Sequence, residues 1–207
     1  ASELKDEFVR IASHDLKNPL TCIMGFAGIV EQTIPPGSMM TEEAHQILAR
    51  ITRHAHTMRR IISNFLDFRS IEDGHVKVVT EEVDIHDLAR EAAAQHAIYA
   101  ATKEISLETE TVPGLPPALA DSSQIEQVIE NLVGNAIKFG VRGGHIKIKT
   151  YHEDGGVVLE VSDTAPGLSE DDLALLFVKY AKLSNKPTGG ESSTGLGLAI
   201  CKRMIEL

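Results

Sequence analysis

The stretch Ser13-His14-Asp15-Leu16-Lys17-Asn18-Pro19-Leu20 places a histidine, a neighbouring carboxylate and an amide three residues beyond that carboxylate in one amphipathic segment. An imidazole nitrogen is a nucleophile near neutral pH, and an adjacent carboxylate can orient the ring or take its proton. The combination is a candidate phosphoryl acceptor. Further along, Asn131, Asn135 and Lys138 are spaced by four and three residues, which sets them along one helical face. An Asn carbonyl oxygen suits a hard cation and a lysine ammonium suits phosphate oxygens, so that face fits a nucleoside triphosphate with magnesium (Mg2+). Asp163-Thr164-Ala165-Pro166-Gly167 follows a strand-like run and turns sharply, placing a carboxylate that could accept hydrogen bonds from an adenine amino group. Thr194-Gly195-Leu196-Gly197-Leu198 ends a loop and opens a helix, offering backbone N–H groups and the positive end of the helix dipole to phosphates.

Taken singly, each of these has an ordinary reading. A lone helical histidine is usually solvated, two amides and a lysine make a common polar face, Asp, Pro and Gly all form turns, and Gly-x-Gly is weakly specific. Their order along the chain is what carries information, and it depends on the elements that position them.

A chain of 207 residues has room for two modest compact parts. The formal charge of -10, with no basic stripe, argues against nucleic-acid binding. Two cysteines, Cys22 and Cys201, supply neither a disulfide framework nor a four-cysteine metal site, which fits a reducing cell interior. No run is long and apolar enough to cross a bilayer, so the expected location is cytoplasmic, with any membrane or sensory segment outside this chain. His54 and His56 stand two apart on a helix and so face different ways, against a shared metal.

From Ser2 to Thr33, apolar residues including Phe8, Ile11, Leu16, Leu20 and Ile23 recur at three- and four-residue spacings, the pattern of an amphipathic helix. Ile34-Pro35-Pro36-Gly37 ends it, and Thr41 can cap a second helix running to Arg69. A short connection between two long helices makes an antiparallel hairpin, whose excess apolar surface calls for dimerisation into a four-helix bundle. After Glu72-Asp73-Gly74 the pattern changes to mixed strands and helices. Strands are expected at Val76–Val79, Ile105–Thr109, Ile146–Tyr151 and Val157–Val161, and helices at Asp84–Ala101, Asp121–Phe139, Glu170–Phe177 and from Gly195. The Gly/Ser/Thr/Pro-rich loop from Leu183 to Thr194 is expected to be mobile and functional. The fold class is therefore α+β, a helical hairpin followed by a sandwich of one helical layer on one mixed sheet.

SHDLKNPL, NLVGNAIKF, DTAPGLS, LFVKY and TGLGLAI, in this order and over nearly the whole chain, closely resemble the boxes of the sensor histidine kinases of two-component signalling. The resemblance implies a dimerisation and histidine phosphotransfer domain at 1–73 and a Bergerat-type α/β-sandwich ATP-binding domain at 74–207. It also implies closing strands beyond the last helix, which Leu207 stops short of. By motif, His14 is the phosphoryl acceptor, Asp15 its neighbouring acid, and Asn18 the amide that positions water for dephosphorylating a regulator. Asn135 matches the Mg2+ ligand, Asn131 and Lys138 the phosphate-side contacts, Phe139 the aromatic beside the base, and Asp163 the adenine-reading carboxylate. Gly167, Thr194, Gly195, Leu196 and Gly197 match the backbone around ATP, and Lys179 and Lys182 the basic positions near its phosphates. The implied activity is ATP-dependent autophosphorylation of His14 and transfer to an aspartate of a response regulator receiver domain, performed by a homodimer. Ala165 departs from a family glycine and, with the early terminus, leaves open a non-catalytic regulator-docking module; an ATPase or protein-serine kinase on the same ATP fold is a further alternative.

Overall fold

The computed structural model describes residues 16–30, 41–72, 77–112, 114–181, 183–189, 191 and 195–207. The chain divides into two compact units, Ala1–Gly74 and His75–Leu207.

In the first unit, helix α1 spans 16–30 and helix α2 spans Glu42–Glu72. Thr41 caps α2 as its hydroxyl accepts the Ala44 N–H at 3.2 Å, and Glu42 and Glu43 place negative charge at the positive end of the helix dipole. The helices meet at Phe26, whose ring stacks on His54 with centroids 6.0 Å apart and lies under the Arg50 guanidinium at 5.6 Å. Leu20, Met24, Ile29 and Ile62 remain exposed on this unit, Met24 by 67%.

The second unit begins with β1 (Glu81–Val83) and α3 (Ile85–Thr102), the latter capped by Asp84, which accepts the N–H groups of His86 and Asp87 at 2.9 and 3.0 Å. There follow β2 (Ser106–Thr111), β3 (Ala118–Ala120), α4 (Ser122–Phe139), β4 (His145–Glu153), β5 (Gly156–Asp163), α5 (Glu170–Leu175) and α6 (Gly197–Ile205). The main sheet runs β2-β4-β5, with β2 parallel and β5 antiparallel to β4. Period-two alternation in β4 sends Ile146, Ile148 and Thr150 inward and Lys147, Lys149 and Tyr151 outward. The inward residues join Ala89, Ala92 and Ala100 of α3 and Ile129, Val133 and Ile137 of α4 in the core, a helical layer on a sheet. Thr150 is a polar member of that interior, and its hydroxyl is satisfied by Thr111 Oγ1 at 3.1 Å. Asp154 and Gly155, with φ of 49° and 83°, form the two-residue turn between β4 and β5, whose left-handed pair matches the twist of the strands.

Two expectations need correction. The strand expected at Val76–Val79 is not there: Val76 lies outside the described residues, and residues 77–80 form no strand. The Val79 N–H donates instead to Asp121 Oδ2 at 2.9 Å, the carboxylate that also caps α4 through the Gln124 N–H, so it is not available to a ladder. The strand that does form is β1, and its antiparallel partner is β3, giving a separate two-stranded sheet where one mixed sheet was expected. The described residues of the loop from Leu183 are hydrogen-bonded to α5, to the C-cap of α3 and to the end of α4, as set out below.

Candidate functional site

The face of α4 expected to meet nucleotide is positioned by its cap and its core. Asp121 fixes where the helix starts, and Ile129, Val133 and Ile137 bury the opposite face, which leaves Asn131, Asn135, Lys138 and Phe139 on the sides away from the sheet. Asn131 and Asn135 are half-buried. The Asn131 amide donates to its own helix at the Gln127 carbonyl, 3.1 Å away.

Helix α6 is brought onto this face at a glycine. A Cβ on Gly197 would lie 3.1 Å from Asn131 Oδ1, so the close approach of the two helices depends on a missing side chain. One turn further, burial pushes the Cys201 thiol up to about 11, keeping it neutral as a packing group. The first turn of α6 carries no side-chain cap, since Leu196 at the cap position is buried and apolar. Backbone N–H groups at a helix start suit an anionic ligand.

Asp163 stands exposed at the end of β5, and its Oδ1 accepts the Ala165 N–H at 2.8 Å, which sets the turn leading to Gly167. Gly167 has φ of +81°, the reason a glycine is required there. Ala165 does not share that need: the described non-glycine residues of positive φ are Glu104, Asp154 and Tyr180. The methyl group that replaces the family glycine therefore imposes no backbone strain.

Lys138 is 5% exposed, with its ammonium 5.3 Å over the Phe139 ring. Lys179 is exposed on the turn after α5. His14, Asp15, Lys182 and Thr194 lie outside the described residues, and Asn18 is exposed on α1. The second unit thus brings Asn131 together with Gly197 and ranges Asn135 and Lys138 along the same helix, while α4 also packs against β5, the strand ending in Asp163.

Gly195 joins two segments. With φ of +66°, it accepts the Tyr180 N–H at its carbonyl, 2.9 Å away, and Tyr180 itself has φ of 61°. A Cβ on Gly195 would lie 2.8–2.9 Å from the Ala181 carbonyl oxygen and the Tyr180 backbone. Gly195→Ala is therefore expected to cost at least about 1–2 kcal/mol from the left-handed backbone alone. Urea unfolding of the variant should show the lower midpoint.

Motif reading missed the residues that hold the loop. Asp172 accepts the Ser184 N–H at 2.9 Å and the Ser184 hydroxyl, and Asn185 donates to the Gly167 carbonyl at 2.7 Å. Thr188 donates its N–H to the Lys138 carbonyl at 3.0 Å and its hydroxyl to the Gly140 carbonyl at 2.8 Å. Tyr99 on α3 and Lys103, the C-cap that follows it, reach Glu191. Burial opposes ionisation of Glu191, but hydrogen bonds from Lys103 and Tyr99 outweigh it and bring its pKa from the ordinary 4.5 to about 2. A depressed carboxylate contributes stability above its unfolded pKa and loses it as pH falls through the folded one, so this anchor weakens only between about pH 4.5 and about pH 2. No spacing in the sequence announces a lysine paired with a glutamate 88 positions away, the difference between 191 and 103.

Two family models account for most of the chain: the His Kinase A (phospho-acceptor) domain over residues 4–74, and the histidine kinase-, DNA gyrase B- and HSP90-like ATPase over residues 120–207. The chain belongs to the sensor histidine kinases. Among curated members of that family, the sensor protein KdpD of Clostridium acetobutylicum is 32% identical over 98% of this chain and 22% of its own length. The sensor protein GacS of Pseudomonas syringae pv. syringae is 32% identical over 100% of this chain and 23% of its own length. This histidine kinase chain thus spans about a fifth of the length of these relatives. Among solved histidine kinase structures, full-length ShkA in complex with AMPPNP matches with a TM-score of 0.65 at 28% identity, covering 96% of this chain and 40% of that one. No helix among the described residues of this family member is long and apolar enough to cross a membrane.

Proposed function

We propose that the chain is the core of an ATP-dependent protein-histidine kinase that autophosphorylates His14 and passes the phosphoryl group to an aspartate of a response regulator receiver domain. The observation that carries this reading is the contact of Asn131 with Gly197, which sets the uncapped start of α6 against the amide-bearing face of α4. Phosphoryl transfer asks the protein mainly for alignment and for stabilisation of spread negative charge. Backbone N–H groups at the start of α6, with Gly195 and the flanking Thr194, suit the phosphates. Asn131 and Lys138 serve the phosphate side, Phe139 and Asp163 the base, and Lys179 and Lys182 supply positive charge nearby.

The residues present fit Mg2+. Asn135 is half-buried on the phosphate-side face and offers a hard amide oxygen, the donor type magnesium prefers, while phosphate oxygens would complete the set. Bound with ATP, the ion supplies neutralisation of charge on the phosphate oxygens. At the acceptor, Asp15 orients the His14 imidazole and favours a free lone pair on the attacking nitrogen, while Asn18 positions water for a separate reaction, hydrolysis of the regulator's aspartyl phosphate to inorganic phosphate.

The exposed apolar residues Leu20, Met24, Ile29 and Ile62 support a homodimer formed through the helical hairpin, since such surface on a two-helix unit is best covered by a second copy. ATP as donor places the reaction in the cytoplasm. Incubation with γ-labelled ATP and magnesium is the test: label that is acid-labile and alkali-stable is expected on the protein, and its absence would overturn the kinase reading.

A further inference from the structure

Asp163, the last residue of β5, stands opposite Ile146, and the next pair along the two strands is Thr164 with His145. Half of that rung is ordinary: the Thr164 N–H donates to the His145 carbonyl at 3.2 Å. In an unbroken antiparallel ladder the His145 N–H would go back to the Thr164 carbonyl, but here it donates to Thr164 Oγ1 at 2.9 Å. A hydroxyl thus stands in for a carbonyl, satisfies the β4 donor and lets the chain leave the sheet directly after Asp163. Room for it is kept by Gly144, where a Cβ would lie 3.0 Å from Thr164 Oγ1 and 2.8 Å from the Val141 carbonyl oxygen.

The fixed side of this clip is the middle of the sheet. Strand β4 lies between β2 and β5, and Ser106 of β2 donates its N–H to the Gly144 carbonyl at 3.0 Å, next to the residue that Thr164 holds. The other side is the turn that carries Asp163. Because the Ala165 N–H donates to Asp163 Oδ1 at 2.8 Å, the direction of the carboxylate depends on the path of the backbone through Thr164. Asp163 Oδ2 makes no hydrogen bond among the described residues, which leaves it available to a donor.

We propose that Thr164 is a positioning residue for Asp163: its hydroxyl, clipped to the start of β4, holds the turn in which Asp163 presents its carboxylate to the amino group of adenine, and so sets the preference for adenine over a purine without that group. The proposal rests on the assignment of Asp163 to the base. A residue that served folding alone would weaken every nucleotide alike, whereas one that acts through Asp163 weakens only those that carry the amino group.

Displacement of a fluorescent ATP analogue from the full 207-residue chain, with magnesium, by ATP and by purine riboside triphosphate, which lacks the amino group, tests it. The wild-type chain is expected to prefer ATP by at least about tenfold, as for a hydrogen bond to a charged group. Thr164→Val keeps the branched shape and removes the hydroxyl. It should cut that preference roughly three- to tenfold, the worth of one neutral hydrogen bond, through weaker ATP binding alone. Thr164→Ser, which keeps the hydroxyl, should retain the wild-type preference within about twofold. With Asp163→Ala already in place, Thr164→Val should change the preference no further, since it acts through that carboxylate. The readout is a ratio of two affinities in one protein, so each variant controls for its own folding, and Thr164→Ala carries the test if Thr164→Val melts early. An unchanged preference in the variants without the hydroxyl, an equal fall for both nucleotides, or an effect that persists without Asp163 would overturn the role of Thr164. A wild-type chain that binds neither nucleotide, or both equally, would instead overturn the assignment of Asp163 to adenine, which separates the two failures.

Discussion

Replacing His14 with glutamine is expected to reduce label from γ-labelled ATP to background while the chain still binds nucleotide. The reasoning is chemical. A phosphoramidate on imidazole requires a ring nitrogen with a lone pair, and glutamine offers an amide whose nitrogen lone pair is delocalised and not nucleophilic. Retained binding follows from the division of the chain, since His14 belongs to the unit Ala1–Gly74, whereas Asn131, Asn135, Lys138 and Asp163 belong to His75–Leu207, with its own core. Filter-bound label after alkali treatment and equilibrium binding of a fluorescent ATP analogue measure the two halves separately. Undiminished alkali-stable label on the variant would move the acceptor elsewhere; label that survives acid instead would favour the protein-serine kinase reading.

Asn135→Ala is expected to lower labelling about 10²–10³-fold, the usual cost of deleting one preorganised group that stabilises charge developing in the transition state. The side chain is half-buried on α4 beside a core that does not include it, so the truncation leaves Ile129, Val133 and Ile137 in place. Excess magnesium should restore part of the rate if the lost amide served the ion. The hairpin unit should keep its association state, which sizing by light scattering reads. A variant that labels at the wild-type rate would remove Asn135 from the site, and one that dissociates into monomers would show that the two units do not stand independently.

Much of the second unit was legible because its signals are local. The alternation in Ile146-Lys147-Ile148-Lys149 marks β4, Asp154-Gly155 marks the hairpin turn, and Asp84 and Asp121 mark helix starts; each works through neighbours a few residues away. The strand β1 was misplaced because Val76-Lys77-Val78-Val79 has stronger strand propensity than Glu81-Glu82-Val83, yet Asp121 claims the Val79 N–H and β3 pairs the later residues. The family boxes pointed to Asn135 and Asp163 as candidates, but not to what surrounds them. Lys103, Asp172 and Glu191 are charged residues in polar stretches, and only folding reveals that one joins helix ends, one gathers Ser169 and Ser184, and one is held ionised against its own burial.

The pairing of Tyr180 with Gly195 has a consequence in polymer terms. These two residues bring together the ends of the intervening stretch through the Tyr180 N–H on the Gly195 carbonyl. Once the ends are fixed, closure entropy grows only with the logarithm of contour length, so four extra residues would add roughly 0.2 kcal/mol. The base would therefore tolerate insertions and deletions readily, whereas the Thr188 and Glu191 contacts require a particular arc length. Chain length in this stretch is thus a setting for the tip and nearly a matter of indifference to the junction that carries it.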